Sequence, residues 1–401
     1  MTARSFKAVS PARSVAFQAL LEIEEGAYAA DTLRARARAL APRDAALASQ
    51  IVFGTLRFRA QLDYLLEHYS GKAPRKLDVE VREALRTAIF QLRYLERLPS
   101  HAVVHEAVEL VKASKRSAAG FANAVLRKVN RDDVGWPDRA TELSCPGWLL
   151  ERWSARFGEA IADGIAASAL VPPQPFIRIA PGKPIPSELT VEATDVPGCF
   201  RLLSPPDPGI PTHDIGSQSI LPLLDLRAGQ TYLDLCAAPG NKTRQALETP
   251  LSLAVACDIS YRRLRASGLD CPKLVLDGRK PLPFSRQFDR IFIDAPCSGT
   301  GTIGRNPEIK WRVQPSDFAR FGEGQLELLQ RAVPFLAPGG KLLYATCSLE
   351  REENEDVVQR FCAAEPGMRL AGETWRIPGR EEGDGFYGAV LSWRDAAARP
   401  H

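Results

Sequence analysis

Two cysteines lie in short polar motifs that could support covalent chemistry. Cys297 belongs to the segment DAPCSG (294–299), and Cys347 belongs to ATCS (345–348). A cysteine thiolate can form a covalent intermediate with a substrate, which divides one difficult reaction into two easier steps. Taken alone, each cysteine would more often be a buried apolar thiol. The prediction of chemistry therefore depends on the elements that place the two motifs.

Five apolar segments in the second half of the chain predict the strands that carry these motifs. Each segment ends in an aspartate or a cysteine, and helical stretches lie between them. Such alternation favours a parallel sheet covered on both faces, an α/β arrangement. Ligands bind at the carboxyl ends of such strands, so the polar groups should converge on one crevice. The strand segments are TYLDLCAAPG (231–240), SLAVACD (252–258), PKLVLD (272–277), DRIFIDAPC (289–297) and KLLYATCS (341–348).

The loop after the first strand has the composition of a ligand-binding turn. It contains small residues and a glycine, which let the backbone approach a ligand closely. The loop matches neither the GxGxxG dinucleotide pattern nor the full P-loop pattern, which favours a ligand with an amino acid group over a pyrophosphate. The loop residues are Cys236, Ala237, Ala238, Pro239, Gly240, Asn241 and Lys242.

Two aspartates at the ends of the next two strands complete a predicted nucleoside site. Asp258 could accept hydrogen bonds from both hydroxyls of a ribose, and Asp277 could take an adenine amino group. Either aspartate alone could be a helix N-cap. Acids at successive strand ends beside a small-residue loop favour an adenosyl ligand without phosphates.

A nucleophilic thiol beside such a crevice indicates methyl transfer to a carbon that is a poor nucleophile. C5 of cytosine is such a carbon, because addition of a thiolate to C6 turns the ring into an enamine whose C5 can attack a methyl sulfonium. An acid near N3 would assist the addition, and a base must later remove the C5 proton. A helix start near Glu350 could favour the thiolate. The nearby acids oppose it unless their side chains point away; they are Glu350, Glu352, Glu353 and Glu355.

The first 140 residues show the pattern of an all-α bundle. Apolar positions recur at helical spacing, and Ser100 has the position of an N-cap before HAVVHEAVELV. This region holds 23 Lys and Arg against 16 Asp and Glu, whereas the whole chain has a net charge of +4. A basic front half favours a polyanionic partner. The predicted helices are 12–24, 43–69, 77–97, 101–116 and 118–130.

A small α/β linker domain is predicted between the two halves. A helix over about 147–168 precedes a Pro-rich stretch at 171–186, and short strands follow. The expected domains are 1–140, helical; 141–213, the linker; and 214–401, the α/β domain.

Bulk composition favours a globular cytoplasmic protein. Hydrophobic residues make up 45% and charged residues 25% of the chain, and no apolar run of about 18 residues or secretory signal is present. We therefore expect no membrane association. The eight cysteines form no CxxC pair, so neither a disulfide framework nor a metal site is predicted.

The motifs of the second half resemble those of the Sun family of RNA cytosine-C5 methyltransferases. They are CAAPGNKT (236–243), DAPCSGTG (294–301) and TCS followed by EREENE (346–355). The first half is similar to the NusB-like domain of RsmB-type members. Its matching segments are RDAALASQIVFGTLRFRAQLDYLL (43–66), REALRTAIFQLRYLERLPSHAVVHEAVELVK (82–112) and FANAVLRKV (121–129). Together the resemblances cover nearly the whole chain and imply a NusB-like bundle joined to a Rossmann-like methyltransferase domain.

The resemblance also implies roles for the motif residues. Cys347 would add to C6, Cys297 would promote loss of the C5 proton and release of the enzyme, and Asp294 would lie near the base and the methyl donor. The cofactor would be S-adenosylmethionine, with its methionine part on the loop 236–242. Asp258 would bind its ribose and Asp277 would lie near its adenine, while Asp294 would also contact it. Metal ions have no role in this chemistry.

Three further segments match or depart from the family. HDIGSQSIL (213–221) is similar to the segment before the sheet, where Asp214 and Gln218 would support the pocket, and GDGFYGAVL (383–391) is similar to its closing hairpin. Asn241 replaces a second glycine of the loop, and asparagine tolerates left-handed conformations better than most residues.

The resemblance implies an enzyme that acts on structured RNA, and we expect a monomer. Its attacking cysteine follows threonine, as in RNA rather than DNA methyltransferases, and small-subunit ribosomal RNA is the expected substrate. Transfer RNA is an alternative, as is a non-catalytic RNA-binding ribosome assembly factor, although the Cys297, Cys347 and Asp294 set opposes the latter. A small-molecule methyltransferase would leave the basic half unexplained. Candidates for phosphate contacts are the Arg and Lys residues at 34, 36, 38, 57, 59, 72, 75, 76, 112, 115 and 116, of which we expect under half to touch RNA.

Overall fold

The computed structural model describes residues 9–204 and 210–394. The chain divides into two compact units. One unit runs to Val171 and also takes in Asn306–Arg312, while the other contains Pro172–Arg305 and the residues from Val313 onward. Among the described residues, no helix has the length and apolar character needed to cross a membrane.

The first unit is built from helices joined by short turns. Apolar side chains from five of them meet in one core that includes Phe17, Leu62, Leu85, Val103 and Val125, all buried. Burial of each large apolar side chain contributes about 1.5–3 kcal/mol. The helices are α1 (Pro11–Glu24), α2 (Ala29–Arg36), α3 (Pro42–Arg57), α4 (Arg59–Ser70), α5 (Val79–Tyr94), α6 (Ser100–Ser114), α7 (Ala119–Leu126), α8 (Arg139–Glu142), α9 (Gly147–Phe157), α10 (Glu159–Ser168) and α14 (Ile309–Arg312).

The helical prediction for this unit is confirmed in type and corrected in detail. The segment predicted as one helix over 43–69 is two, because Phe58 leaves helical geometry with φ −98° and ψ 17°. The helix over 147–168 is also two, separated at Gly158 with φ +87°. Ser100 is the first residue of α6 rather than its N-cap, because the helix begins one residue earlier than expected. The short helix α2 had not been predicted.

The second unit begins with a small antiparallel sheet. Its strands are β1 (Phe176–Arg178), β2 (Val191–Ala193) and β3 (Cys199–Leu202), in the order β1-β3-β2. The predicted short strands of this region are therefore confirmed. The domain boundaries proposed from the sequence stay predictions.

The centre of the second unit is a seven-stranded mixed sheet with the strand order β6-β5-β4-β7-β8-β10-β9. The first five strands in this order are parallel, whereas β10 is antiparallel to both neighbours and forms the predicted closing hairpin with β9. The strands are β4 (Thr231–Asp234), β5 (Leu253–Asp258), β6 (Lys273–Val275), β7 (Phe288–Asp294), β8 (Leu336–Thr346), β9 (Met368–Arg376) and β10 (Phe386–Trp393).

Helices cover both faces of this sheet. Alternate side chains of each strand point to opposite faces, and apolar side chains on both faces are buried against helices. Leu233 and Ile291 join a core with side chains of the helices on one face, whereas Tyr232 and Phe292 join a second core on the other. The result is the α/β Rossmann-like fold that the sequence predicts. The helices are α11 (Ile215–Ile220), α12 (Asn241–Ala246), α13 (Tyr261–Ala266), α15 (Pro315–Ala332) and α16 (Glu355–Ala364).

Candidate active site

The two motif cysteines meet at the carboxyl ends of β7 and β8. These strands pair in parallel, with Asp294 beside Ala345, so both loops leave the sheet at one edge. The sulfurs of Cys297 and Cys347 lie 3.4 Å apart, within hydrogen-bond distance, and both residues are partly exposed. The hydrogen bond to Cys347, together with burial, raises the pKa of the Cys297 thiol well above its usual value. The pair can therefore share a proton while Cys297 stays a thiol.

The backbone around Cys347 is fixed by two neighbouring segments. The amide of Gly301 donates to the carbonyl of Cys347 over 2.9 Å, and the amide of Gly385 donates to the carbonyl of Gly301 over 2.7 Å. A Cβ atom at Gly301 would lie only 2.5 Å from the Gly385 oxygen and 2.9 Å from the Cys347 oxygen. Only glycine fits this contact, so the loop after Cys297 holds the nucleophile loop in place.

A buried acid, Glu353, lies behind the two cysteines. Its carboxylate accepts hydrogen bonds from the amide and the hydroxyl of Ser298, at 2.7 and 2.5 Å, and from the hydroxyl of Ser348, at 2.7 Å. Burial raises the pKa of Glu353 to about 7. The Glu353 side chain therefore points toward the cysteine loops. The possibility that the side chains of the acidic run point away from the site is wrong for Glu353. The predicted helix start near Glu350 is a single 3₁₀ turn over Arg351–Glu353, and the α-helix α16 begins at Glu355.

Asp294 forms an ion pair with Lys242, the last residue of the predicted cofactor loop (236–242). Lys242 Nζ lies 2.7 Å from Asp294 Oδ2 and 4.9 Å from the centroid of the Phe386 ring. Burial by itself would lower the pKa of Lys242, but the Asp294 carboxylate outweighs it and the pKa is raised. The ammonium group therefore stays charged and joins the loop after β4 to the loop after β7.

Asp234, which the sequence analysis left out of the site, organises the cofactor loop from below. Its carboxylate accepts from the amide of Cys236 over 3.1 Å and from the hydroxyl of Thr243 over 2.7 Å. Burial raises its pKa to about 7. The available signal was its position as the last residue of a buried strand. The sequence does not distinguish an aspartate that shapes the following loop from any other polar residue at a strand end.

The loop itself turns into α12 at Gly240. That residue has φ +108°, a conformation that favours glycine. Asn241 is the first residue of α12 and has ordinary helical geometry, so its replacement of a family glycine needs no left-handed backbone. Ala237 and Ala238 are buried under the turn.

A cavity of about 450 Å³ opens beside this loop. The predicted residues Cys236, Asp258 and Asp277 line it, and so does Pro296, the neighbour of Cys297 in the chain. Asp258 accepts from the amides of Ala238 and Ser260, at 3.0 and 2.8 Å. The structure thus brings the first, second and third predicted strand ends together around one space, which extends to the cysteine motif.

The predicted supports Asp214 and Gln218 lie outside the lining of this cavity. Asp214 caps α11 by accepting from the amide of Gly216 over 2.8 Å, and Arg305 joins it to Asp384 with contacts of 2.8 and 2.9 Å. Gln218 is fully buried and donates to the carbonyl of His213 over 2.6 Å. Both residues therefore support surrounding structure.

Known families match both halves of the chain. The model described as 16S rRNA methyltransferase RsmB/F matches residues 221–392, and the NusB family model matches residues 10–131. The ribosomal RNA small subunit methyltransferase B of Vibrio cholerae serotype O1 is 33% identical, over 95% of this chain and 97% of its own length. That of Serratia proteamaculans is 32% identical, over 94% and 98%. The chain belongs to the RsmB/F family of 16S rRNA methyltransferases. RNA is its partner.

Solved structures share the fold. The crystal structure of PH0851 has a TM-score of 0.79 at 22% identity, over 96% of this chain and 99% of that one. A methyltransferase homolog protein from Pyrococcus horikoshii has a TM-score of 0.54 at 23% identity, over 63% and 96%. The fold prediction and the resemblance to the Sun family are confirmed.

The cofactor of this RsmB/F methyltransferase is S-adenosylmethionine, and the cavity has the chemistry to hold it. Asp258 and Asp277 offer acceptors for hydroxyl and amino groups, and apolar side chains such as Leu276 and Phe321 can flank a ring. The three lining arginines are already engaged by the protein: Arg279 by Asp277 over 2.9 Å, Arg263 by the carbonyl of Ala238 over 2.8 Å, and Arg320 by Asp317 over 2.6 Å. These acceptors fit the uncharged nucleoside part of the cofactor better than they would fit a phosphate. The role of each residue stays a prediction.

The basic residues of the NusB-like unit divide into paired and exposed groups. Arg57 is buried and donates to the carbonyl of Ala169, so the prediction that it contacts phosphate is wrong. Arg36 and Arg59 form ion pairs with glutamates of α1. Exposed members of the predicted set remain available to RNA; they include Arg38, Lys72, Arg75 and Lys76.

The other cysteines have no comparable partners. Cys145, Cys199 and Cys257 are buried, and burial raises their pKa values to about 12, 11 and 12. All eight cysteines lie in the described ranges as free thiols. Within residues 9–204 and 210–394, no group of three or more His, Cys, Asp or Glu could hold a metal ion.

Proposed function

We propose that this enzyme methylates C5 of a cytosine in small-subunit ribosomal RNA through a covalent bond between Cys347 Sγ and C6 of the base. The observation that carries the proposal is the pair of sulfurs 3.4 Å apart, beside Asp294 and next to the nucleoside-sized cavity. A buried structural thiol would need neither a second cysteine nor this position at a ligand-binding edge.

The reaction begins with addition of the Cys347 thiolate to the base. Its electron pair forms the S–C6 bond, and the electrons of the C5=C6 bond move through the ring as N3 takes up a proton. The Lys242–Asp294 pair, joined over 2.7 Å, supplies that proton. The product is an enamine whose C5 is nucleophilic. S-adenosylmethionine, when bound, supplies the electrophilic methyl group to which C5 donates this electron pair.

Release of the product needs both cysteines. Once Cys347 is bonded to C6, Cys297 gives up its thiol proton to solvent, and its thiolate takes the C5 proton while the C5–H bonding pair restores the C5=C6 double bond. The S–C6 bonding pair returns to Cys347 Sγ, which takes this proton from Cys297 across the hydrogen bond. N3 returns its proton to the Lys242–Asp294 pair, and the proton on Cys347 passes back to Cys297, which regenerates the Cys347 thiolate for the next turnover.

The base must leave any helical stack to reach Cys347, since the attack on C6 needs access to the ring. Exposed basic side chains of the NusB-like unit supply phosphate contacts that position the RNA. The expected monomeric state and cytoplasmic location stay predictions.

Trapping the covalent intermediate tests this function. The protein is incubated with labelled S-adenosylmethionine and ribosomal RNA from cells that lack the gene, and the modified nucleotide is mapped. Cys297→Ala should accumulate an adduct that survives denaturing electrophoresis, and adding Cys347→Ala should abolish it. Methyl transfer to transfer RNA alone would contradict the proposed ribosomal substrate. RNA binding without any methyl transfer would contradict the proposed enzymatic activity.

A further inference from the structure

Each of the two cysteines is followed by a serine, and one carboxylate holds both serines. Ser298 follows Cys297 and Ser348 follows Cys347. The same Oε1 atom of Glu353 accepts from the hydroxyls of both serines, at 2.5 and 2.7 Å, and the two hydroxyls lie 3.2 Å apart. Oε2 accepts from the amide of Ser298 over 2.7 Å. Glu353 therefore bridges the loops after β7 and β8 directly behind their sulfurs.

The bridge continues into α15. Gln325 Nε2 donates to Glu353 Oε2 over 3.3 Å and to the carbonyl of Pro296 over 2.9 Å. Pro296 directly precedes Cys297, so the loop of Cys297 is held on both sides of that residue.

The backbone around Glu353 is itself anchored to β8. The hydroxyl of Tyr344 donates to the carbonyl of Glu353. The next residue, Asn354, accepts from the hydroxyl of Thr346 over 2.5 Å and donates to the carbonyl of Ser348 over 2.9 Å. A carboxylate held this firmly transmits any change in length or charge to both cysteine loops.

Glu353 is fully buried, and none of the described Lys, Arg or His residues forms an ion pair with it. Burial of an unpaired acid costs stability, and four hydrogen-bond donors offset part of this cost. An apolar side chain in this place would leave the Ser298 amide and the hydroxyls of Ser298 and Ser348 without this acceptor. The donors come from the two loops that carry the cysteines, which favours a role for Glu353 in positioning them.

We propose that Glu353 is a positioning residue that holds Cys297 and Cys347 at the separation needed for proton exchange between them, acting through Ser298 and Ser348. This inference rests on the proposed function. It assigns to Glu353 the product-release step, because proton exchange across the 3.4 Å contact is what frees Cys347 from the base. Addition to C6 needs only the Cys347 loop, whose backbone is also held by the amide of Gly301 over 2.9 Å, so addition depends less on the bridge.

Glu353→Gln tests the proposal, with Glu365→Gln, a partly exposed acid after α16, as the matched control. The amide keeps the shape but turns one acceptor into a donor that faces a serine or an amide donor. We expect kcat to fall about 10- to 100-fold, as for a displaced catalytic group. The Kd for S-adenosylhomocysteine should stay within about twofold of the unmodified enzyme, and kcat/KM should change much less than kcat, since release follows methyl transfer.

The decisive readout is the covalent adduct at steady state. With Cys297 present, Glu353→Gln should accumulate protein–RNA adduct, because release is slowed more than addition, whereas Glu365→Gln should not. Ser348→Ala removes one arm of the bridge without a buried charge change, and should show a smaller accumulation of the same kind.

The outcomes separate this inference from the proposed function. If Cys297→Ala forms no adduct, the covalent mechanism itself is wrong. If Cys297→Ala forms adduct but Glu353→Gln and Ser348→Ala turn over and release product like the unmodified enzyme, only the role of Glu353 is overturned. Equal losses of cofactor affinity and kcat in both variants would also overturn it, since that result indicates a general structural role.

Discussion

Lys242 Nζ lies 2.7 Å from Asp294 Oδ2, so the loop of the cofactor site and the loop of Cys297 share one ion pair. The Lys242 side chain is 12% exposed and that of Asp294 is 31% exposed. Because the Lys242 ammonium group is largely shielded from water, the Asp294 carboxylate offsets the cost of burying its charge. In the proposed mechanism, this pair links the loop that holds the cofactor to the residues that act on the base.

Lys242→Met should therefore impair catalysis more than cofactor binding. Without the ammonium group, Asp294 loses its partner and the proton donor that we assign to N3 is missing. We expect kcat to fall about 100-fold or more, the range of a lost acid catalyst. Rapid-quench measurement of adduct formation in a Cys297→Ala background would show a slower addition step. The control Lys280→Met, at an exposed lysine, should leave this rate unchanged.

Gly301→Ala should disturb the nucleophile without unfolding the protein. The added methyl group would lie 2.5 Å from the Gly385 oxygen, so the loop must shift and weaken the 2.9 Å bond to the Cys347 carbonyl. A displacement of about 1 Å can cost about 100-fold in rate. Steady-state kinetics should show this in kcat. Gly120→Ala is the control, since nothing lies within 4 Å of a Cβ there, and a similar loss in that variant would contradict the steric explanation.

Strand-end chemistry could be predicted from the sequence because it depends on local pattern. Apolar strands followed by Asp258, Asp294 and Cys347 are readable as a converging crevice, since parallel strands place their carboxyl ends together. The same local pattern gave the helices of the NusB-like unit. Breaks such as Phe58 were missed because one non-helical residue hardly changes the periodicity of a long apolar segment.

The roles of buried acids could not be predicted, because they depend on contacts between distant segments. Glu353 lies in an acidic run that resembles a solvated helix start, yet it accepts from Ser298, 55 positions earlier. Asp234 resembles any strand end, and only the fold shows it under the cofactor loop. The sequence does not indicate contacts between residues so far apart, whereas the motif cysteines can be recognised from their residue type and neighbours.

Asp258→Asn should weaken cofactor binding. The Asp258 carboxylate accepts from the amides of Ala238 and Ser260 and lines the cavity, and an amide in its place provides one acceptor oxygen instead of two. Charge-assisted hydrogen bonds contribute about 1.5–3 kcal/mol, so the Kd for S-adenosylhomocysteine should rise about 10- to 100-fold. Isothermal titration calorimetry measures this. Asp277→Asn should have a smaller effect, because Arg279 already engages that carboxylate; the reverse order would contradict the assignment.

Arg86→Met should destabilise the NusB-like unit. The Arg86 guanidinium holds buried Glu83 and also contacts Asp63 over 2.7 Å, with only 4% of the Arg86 side chain and 2% of the Glu83 side chain exposed. Its removal leaves the buried Glu83 carboxylate with only the 3.3 Å contact to Arg82, so we expect a loss approaching the ~3–5 kcal/mol of a broken buried pair in the free energy of unfolding. Denaturation in urea followed by circular dichroism measures the loss. Arg34→Met is the matched control, because Arg34 and Asp31 are 78% and 74% exposed and such a pair contributes about 1 kcal/mol or less. Equal losses in the two variants would show that burial does not set the strength of these ion pairs.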